Sequence, residues 1–340
     1  MGTYFDWLRT ATPTRWWHDS ADPAELDLAL TRGASGVTTN PVLVAAAMKR
    51  APAAWLDART RLSDRALAPE GRAEALMAIA VTEAAERLRP HFEQTRGCDG
   101  YVCAQVNPSR AGDRAPMLAM ARRLHAWAPN IAVKLPATAA GLDVLERSVA
   151  EGITVTATVS FTVPQVMAIA ERHRCGSLRA RQNGVTPGRC FAVLMIGRLD
   201  DYLREVAQDR SAPVDEDDIR QAGIAVAKRA YARYLERGYD ATLLVAALRG
   251  SYHLTELAGA DLVMSVHPTY QPPFAAESLA REVRIDAPVP ESTLERLRTL
   301  PEFVRAYEPD GMTPDEFLSF GATQRTLSQF TESWRALETL

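Results

Sequence analysis

The seven residues IAVKLPA at positions 131–137 hold one charge inside an otherwise apolar or small run. A strand exposed on one face alternates apolar and polar residues. A run that is apolar almost throughout is what a strand buried on both faces presents. Seven more runs of this type occur along the chain: 14–20 (TRWWHDS), 36–40 (GVTTN), 100–107 (GYVCAQVN), 154–160 (TVTATVS), 191–199 (FAVLMIGRL), 242–249 (TLLVAALR) and 262–268 (LVMSVHP). The segments between them carry helix signals. Asp22-Pro23-Ala24-Glu25 supplies an N-cap, a first-turn proline and an acid at the third position. Leu76, Ile79, Ala80, Ala84 and Leu88 form an apolar stripe at helical spacing. Segment 214–237 starts with acids, runs through Ile219, Gly223, Val226, Ala230 and Tyr234, and stops at Gly238. Strand and helix alternate eight times, which predicts an α/β fold of the (β/α)8 barrel type; an open doubly wound sheet is the structural alternative.

The chain has 340 residues, enough for one large α/β domain or two ordinary ones. With no Gly/Ser linker, repeat or low-complexity block, the expectation is a single domain over 1–340. Within it, a barrel core spans 11–270 and a helical extension spans 271–340. Extra helices are expected in two places: about two over 41–99, after the second strand, and others in the tail, where Thr313-Pro314-Asp315-Glu316 repeats a capping signature.

Composition narrows the function classes. The formal net charge is −3, from 39 basic and 42 acidic residues, so no cationic field is available to hold nucleic acid. No apolar run reaches the roughly 18–20 residues that cross a bilayer, so no membrane association is expected. The first seven residues show neither a basic stretch nor an apolar one, so a secretory signal is not expected. Four cysteines without a CxxC pair fit a reducing, cytoplasmic setting. Six scattered histidines show no HxxxH or HExxH spacing, and no metal is expected. Nucleotide-phosphate loops of the GxxxxGK[ST] and strand-linked GxGxxG kinds are absent.

In a barrel the chemistry sits at the C-terminal ends of the strands. The polar residues late in the eight runs are therefore the candidates: Asp19, Asn40, Gln105, Asn107, Lys134, Thr156, Thr158, Ser160, Arg198, Arg249 and His267. Lys134 is the most informative. Of the 39 basic residues only Lys49, Lys134 and Lys228 are lysines; the other 36 are arginines. A position that tolerates either cation would usually read Arg here. Desolvation favours the neutral amine, and a neutral amine attacks carbonyls, which a guanidinium cannot do. The competing reading is a lysine snorkelling at a strand end or paired with an acid. Asp19 is either a general base or a loop cap. Arg198 and Arg249, late in the sixth and seventh runs, suit a phosphate fork, with ion pairs to Asp200 or Glu256 as the alternative. His253 and His267 read as structural, and Trp16 and Trp17 as core.

In order, Asp19 in HDSAD, GVTTNP at 36–41, Lys134 in IAVKLPAT, Glu151-Gly152-Ile153, Thr158, Gly197-Arg198 and Arg249 resemble the transaldolase family over roughly residues 12–270. These are Schiff-base aldolases on a (β/α)8 barrel. The resemblance implies that Lys134 forms the imine with a ketose and that Asp19 is the acid/base at the C4 hydroxyl. Thr158 would hold the catalytic water. Asn40, with Thr39 of the same motif, would bind hydroxyls of the three-carbon unit, and Arg198 and Arg249 would bind phosphate. It also implies sugar-phosphate substrates, no cofactor, a place in pentose phosphate metabolism and association into homo-oligomers.

The departures count as much. Gln105 stands where transaldolases usually carry a proton-relaying glutamate, and the related fructose 6-phosphate aldolases carry glutamine there. Thr156 and Val193 replace residues that contact the dihydroxyacetone hydroxyls, and Met195 replaces an aromatic. Thr156 and Met195 remain counted among the substrate-binding candidates. The expected function is therefore transaldolase-type transfer of a dihydroxyacetone unit between phosphorylated sugars. A fructose 6-phosphate aldolase-like lyase or an aldolase with another donor is the near alternative, and a non-catalytic sugar-phosphate-binding barrel is the distant one.

Overall fold

The computed structural model describes residues 2–63, 66–276 and 279–340. Seven parallel strands form the sheet: β1 (Arg15–His18), β2 (Val102–Gln105), β3 (Ile131–Pro136), β4 (Val155–Thr158), β5 (Cys190–Met195), β6 (Thr242–Ala246) and β7 (Val263–Val266). Their order is β1-β7-β6-β5-β4-β3-β2. The edge strands β1 and β2 are not left open. Val37 bridges to His18 on one side and Val102 on the other. His18 N donates to Gly36 O at 2.9 Å, Thr38 N to His18 O at 2.8 Å, Val37 N to Tyr101 O at 2.9 Å and Cys103 N to Val37 O at 2.9 Å. The run expected as a strand over 36–40 is thus reduced to a single bridging residue, yet it joins both edges and gives the TIM-barrel-like architecture rather than an open sheet. Gly36 is required at this closure, because a Cβ there would lie 2.4 Å from the Trp17 ring.

The apolar runs became strands because both of their faces are covered. Every residue of β2 to β5 is buried, with helices outside and facing strands inside. Asp22 caps the helix Pro23–Thr31 by accepting from Ala24 N and Glu25 N. That assigns the cap to Asp22 and removes the capping reading of Asp19. The helices Pro69–Gln94 and Glu216–Arg237 carry the expected apolar faces, except that Ile79 is only half-buried.

Strand ends fall short of the sequence reading, and this moves two site residues. β5 stops at Met195 and the helix Ile196–Arg210 starts at once, so Arg198 lies in a first helical turn rather than on a strand. β6 stops at Ala246, which leaves Arg249 in the loop before the helix Ser251–Leu257. Segment 41–99 holds more than the two expected helices: Pro41–Arg50, a 3-10 turn Pro52–Trp55, Leu56–Ser63 and Pro69–Gln94. Beyond residue 270 the described elements include the helices Glu291–Leu297, Pro301–Tyr307 and Gly321–Glu338 and a 3-10 turn Pro314–Ser319 with the expected capping box. The helix Gly321–Glu338 packs on Pro41–Arg50 and Pro69–Gln94. Its Phe330, Trp334 and Leu337 are buried in the same apolar cluster as the barrel strands.

Candidate active site

A cavity of about 330 Å³ opens at the C-terminal ends of the strands. Seven of the ten residues singled out as catalytic or substrate-binding line it: Asp19, Asn40, Lys134, Thr158, Met195, Arg198 and Arg249. Two larger clefts, of about 520 and 560 Å³, lie elsewhere, one flanked by the helix Glu216–Arg237 and the other by the start of β1. Neither gathers such a set.

Lys134 projects from the middle of β3 and is 3% exposed. Its Nζ makes one contact, a 3.4 Å hydrogen bond donated to Thr39 O, and pairs with no carboxylate among the described residues. Burial lowers its pKa against the opposing pull of Cys103 and Asp19. Asp19 leaves the end of β1, its backbone N donating to Val266 O at 3.2 Å. Desolvation pushes its carboxyl up, countered by Lys134, His267 and Ser265. An amine whose charge is disfavoured therefore faces a carboxyl whose charge is disfavoured. Such a pair exchanges protons with a substrate at little cost, as an ordinary surface pair would not.

Asn40 uses its Oδ1 to cap the helix Pro41–Arg50, accepting from Leu43 N at 3.0 Å. Its amide nitrogen has no protein partner among the described residues. Thr158 ends β4, with its hydroxyl 3.9 Å from Met195 Sδ at the end of β5. The next residue, Val159, adopts φ 57°, a costly conformation for a β-branched side chain. Buried Gln165 braces it, donating to Val159 O at 3.1 Å and accepting from Phe161 N at 2.9 Å.

The two arginines differ. Arg249 is held in place: Nη2 and Nε donate to Asp201 Oδ2 at 2.6 and 3.0 Å, and Nη1 to Ala247 O at 2.8 Å. The carboxylate is Asp201, not the Asp200 or Glu256 anticipated as alternatives. Asp200 instead bonds His253 Nε2 at 2.9 Å, while His253 Nδ1 accepts from Arg249 N at 3.1 Å. Both imidazole nitrogens are used to fix the Arg249 loop, in line with a structural His253. Arg198 is half-buried and pairs with no acid among the described residues. Its guanidinium sits 5.6 Å from the Phe330 ring centroid, and burial together with Arg249 lowers its pKa. A partly desolvated guanidinium without an acid partner among the described residues, beside a second cation, has the chemistry that suits an anion.

Three of the singled-out residues do not line the cavity. Thr39 turns its hydroxyl to Cys103 O at 2.6 Å and meets Lys134 through its carbonyl. Gln105 and Thr156 flank Lys134 in the β2–β3–β4 register. Thr156 accepts from the Cys103 thiol at 3.5 Å, and Gln105 Oε1 is buried without a hydrogen-bond partner among the described residues. Of the wider set, Asn107 bonds Glu70 at 2.8 Å and Ser160 donates to Val193 O at 2.6 Å, so both are structural.

His267, read as structural, lines the cavity instead, as do Thr38, Thr269 and Tyr270. Its place at the end of the last run was the available signal. Phe330 also lines the cavity, and no local pattern announced it. Among the described residues, no group of three or more His, Cys, Asp or Glu could hold a metal ion. No helix among them is long and apolar enough to cross a membrane.

Comparison with known proteins agrees with this geometry. The profile of the Transaldolase/Fructose-6-phosphate aldolase family matches residues 16–340. The chain is 29% identical over 324 residues to a transaldolase of Thiobacillus denitrificans, covering 90% of this chain and 89% of that one. It is 32% identical over 219 residues to a transaldolase of Thermobifida fusca, covering 62% of this chain and 58% of that one. A transaldolase of Neisseria gonorrhoeae is 32% identical over 211 residues, or 61% of this chain and 58% of that one.

Proposed function

The chain belongs to the transaldolase/fructose-6-phosphate aldolase family, and from that premise we propose that it transfers a dihydroxyacetone unit between phosphorylated sugars through a Schiff base on Lys134. The observation that carries this reading is the buried, acid-free amine of Lys134 facing Asp19 in one cavity.

The neutral amine of Lys134 adds to the ketose carbonyl, and loss of water leaves the imine. Asp19 takes the C4 hydroxyl proton, the C3–C4 bond breaks, and its electron pair enters the imine as an enamine. The aldehyde leaves, a second aldehyde enters, and the steps reverse with Asp19 returning the proton. Arg198 and Arg249 hold the phosphate, Arg249 fixed by Asp201 and Arg198 set against the Phe330 ring. Asn40 offers its amide nitrogen to a hydroxyl of the three-carbon unit. Thr158 orients the water that forms and hydrolyses the imine. A cytoplasmic location, supported by four free cysteines, and association of like subunits belong to the same proposal. So does the division into a barrel core, 11–270, with an extension, 271–340, in one domain.

A second reading has its own support. Gln105, beside Lys134, can orient a water but cannot relay a proton. That favours a free aldolase over a transferase.

Borohydride reduction with fructose 6-phosphate, followed by peptide mass mapping, tests the mechanism. The expected result is a single adduct on Lys134. An adduct on another residue, or none with any ketose, overturns it. Leaving out the acceptor aldehyde separates the two readings: turnover that releases dihydroxyacetone means aldolase, and no turnover means transferase.

A further inference from the structure

We propose that His267 is a substrate-binding residue for the aldehyde half of the reaction, its Nε2–H donating a hydrogen bond to the oxygen on which the aldehyde forms. This rests on the Schiff-base reading above.

Position comes first. His267 follows β7, the strand paired with β1, and Asp19 N donates to Val266 O. The two side chains therefore leave neighbouring strand ends side by side, and both line the cavity with Lys134. The tautomer comes second. His267 caps its own 3-10 turn Pro268–Tyr270, with Nδ1 accepting from Thr269 N at 3.3 Å and lying 3.0 Å from Thr269 Oγ1. A nitrogen that accepts a backbone N–H carries no proton, so the neutral ring carries its proton on Nε2. No protein group among the described residues takes that proton.

Other histidines in the chain set the contrast. His253 uses both nitrogens on protein atoms. His18 has no partner for its Nε2 among the described residues but is sealed in the interior, away from the cavity. His267 combines a fixed tautomer, a free N–H and a cavity wall.

The chemistry gains from such a donor. When the C3–C4 bond breaks, its electrons enter the imine and the C4 hydroxyl proton passes to Asp19. The C4 oxygen then becomes a carbonyl and, in the reverse direction, gathers negative charge. Lys134 is committed to the imine, and Arg198 and Arg249 to phosphate. Asp19 holds the proton taken from that hydroxyl and gives it back on addition, so a second donor that does not itself transfer a proton is what remains to be supplied. A fixed N–H at that oxygen stabilises the developing charge and polarises the incoming aldehyde while keeping its own proton.

His267→Asn separates this role from the capping role. Asparagine is a favoured N-cap and keeps an acceptor for Thr269 N, but it is too short to set a donor where Nε2 stood. Borohydride capture of fructose 6-phosphate on Lys134 should remain at the unsubstituted level. The kcat/KM for the acceptor aldehyde at saturating donor should fall about 10²-fold, as on loss of an oxyanion donor. His267→Ala should show the same loss. Unchanged acceptor kcat/KM in His267→Asn would mean that the ring only caps, which overturns the proposal. Equal falls in capture and acceptor efficiency would overturn it too. Failure of capture in the unsubstituted enzyme overturns the Schiff-base reading itself, and this one with it.

Discussion

Three lysines stand among 36 arginines, and their surroundings separate scaffold from chemistry. Lys49 is exposed in the last turn of a helix. Lys228 is nearly buried, and its three donors are taken by Glu256 at 3.2 Å, Arg284 O at 2.9 Å and Ala287 O at 2.6 Å. Lys134 is more buried than Lys228 yet has a single long contact. Its amine is left for an electrophile. This much was legible in the sequence, because an arginine-rich chain that keeps a lysine inside an apolar run singles out amine chemistry. The hydroxyl of Thr39, committed to Cys103 O, was not legible, since motif membership does not say which way a side chain turns. Asp19 is the residue whose role separates two steps. Asp19→Asn should leave borohydride capture of the ketose on Lys134 intact, because imine formation needs the amine and a water. Cleavage turnover should drop about 10²- to 10⁴-fold, the range for loss of a positioned base. Turnover at the unsubstituted rate, measured by aldehyde release, would assign the base elsewhere.

Whole strands were legible because burial on both faces leaves a continuous apolar run. Their ends were not, because a run that continues into a buried first helical turn reads the same on either side of the boundary. Met195 and Ile196 are both buried, yet one ends β5 and the other opens a helix, and Arg198 moves from strand to helix on that account. The GVTTN run kept its place but only one residue of pairing, since Asn40 already caps the next helix. The tail was the least legible element. Its last helix has an amphipathic pattern, but which barrel residue it meets depends on tertiary packing that no local pattern encodes. The structure shows that it brings Phe330 onto Arg198. The ring gives the guanidinium, which pairs with no acid among the described residues, a face to rest on and excludes water from one side. Phe330→Ala should therefore raise KM for phosphorylated donors several-fold, with little change for unphosphorylated ones, on the scale of about 0.5–2 kcal/mol for a cation–π contact. Phe330→Trp should restore most of the loss. Equal effects on both substrate types in steady-state kinetics would show that the ring merely fills space.

At the scale of the molecule, the arginines that made lysine conspicuous tie the outer helices together. Glu151 receives both Arg122 and Arg147, Glu146 both Arg172 and Arg179, and Asp218 is gripped by Arg296 from the tail. Their carboxyls are held below the usual range, Glu151 down to about 2, chiefly by the Arg122 hydrogen bond. A carboxyl with a lowered folded pKa stabilises above its unfolded value, and that contribution is lost as pH falls toward the folded one. The acid loss from these pairs therefore begins only below about pH 4.5 and extends toward 2. His18 acts in a different window. Buried beside the ring closure, it accepts Gln271 Nε2 at Nδ1, and burial pushes it down to about 4. The unfolded chain takes up that proton near 6.5 and the folded chain only near 4. Stability is therefore lost as pH falls between those values, by up to about 3 kcal/mol from this group. His125 and His173, also pushed down by burial, add in the same direction. Scanning calorimetry should show Tm falling in two stages, the first from about pH 6.5 and the second below about 4.5. His18→Gln keeps an acceptor for Gln271 and removes the titrating group, so it should flatten the first stage by about one proton while leaving the second. Glu151→Gln should do the reverse. A first stage of unchanged slope in His18→Gln would mean that His18 is already protonated in the folded barrel at pH 6.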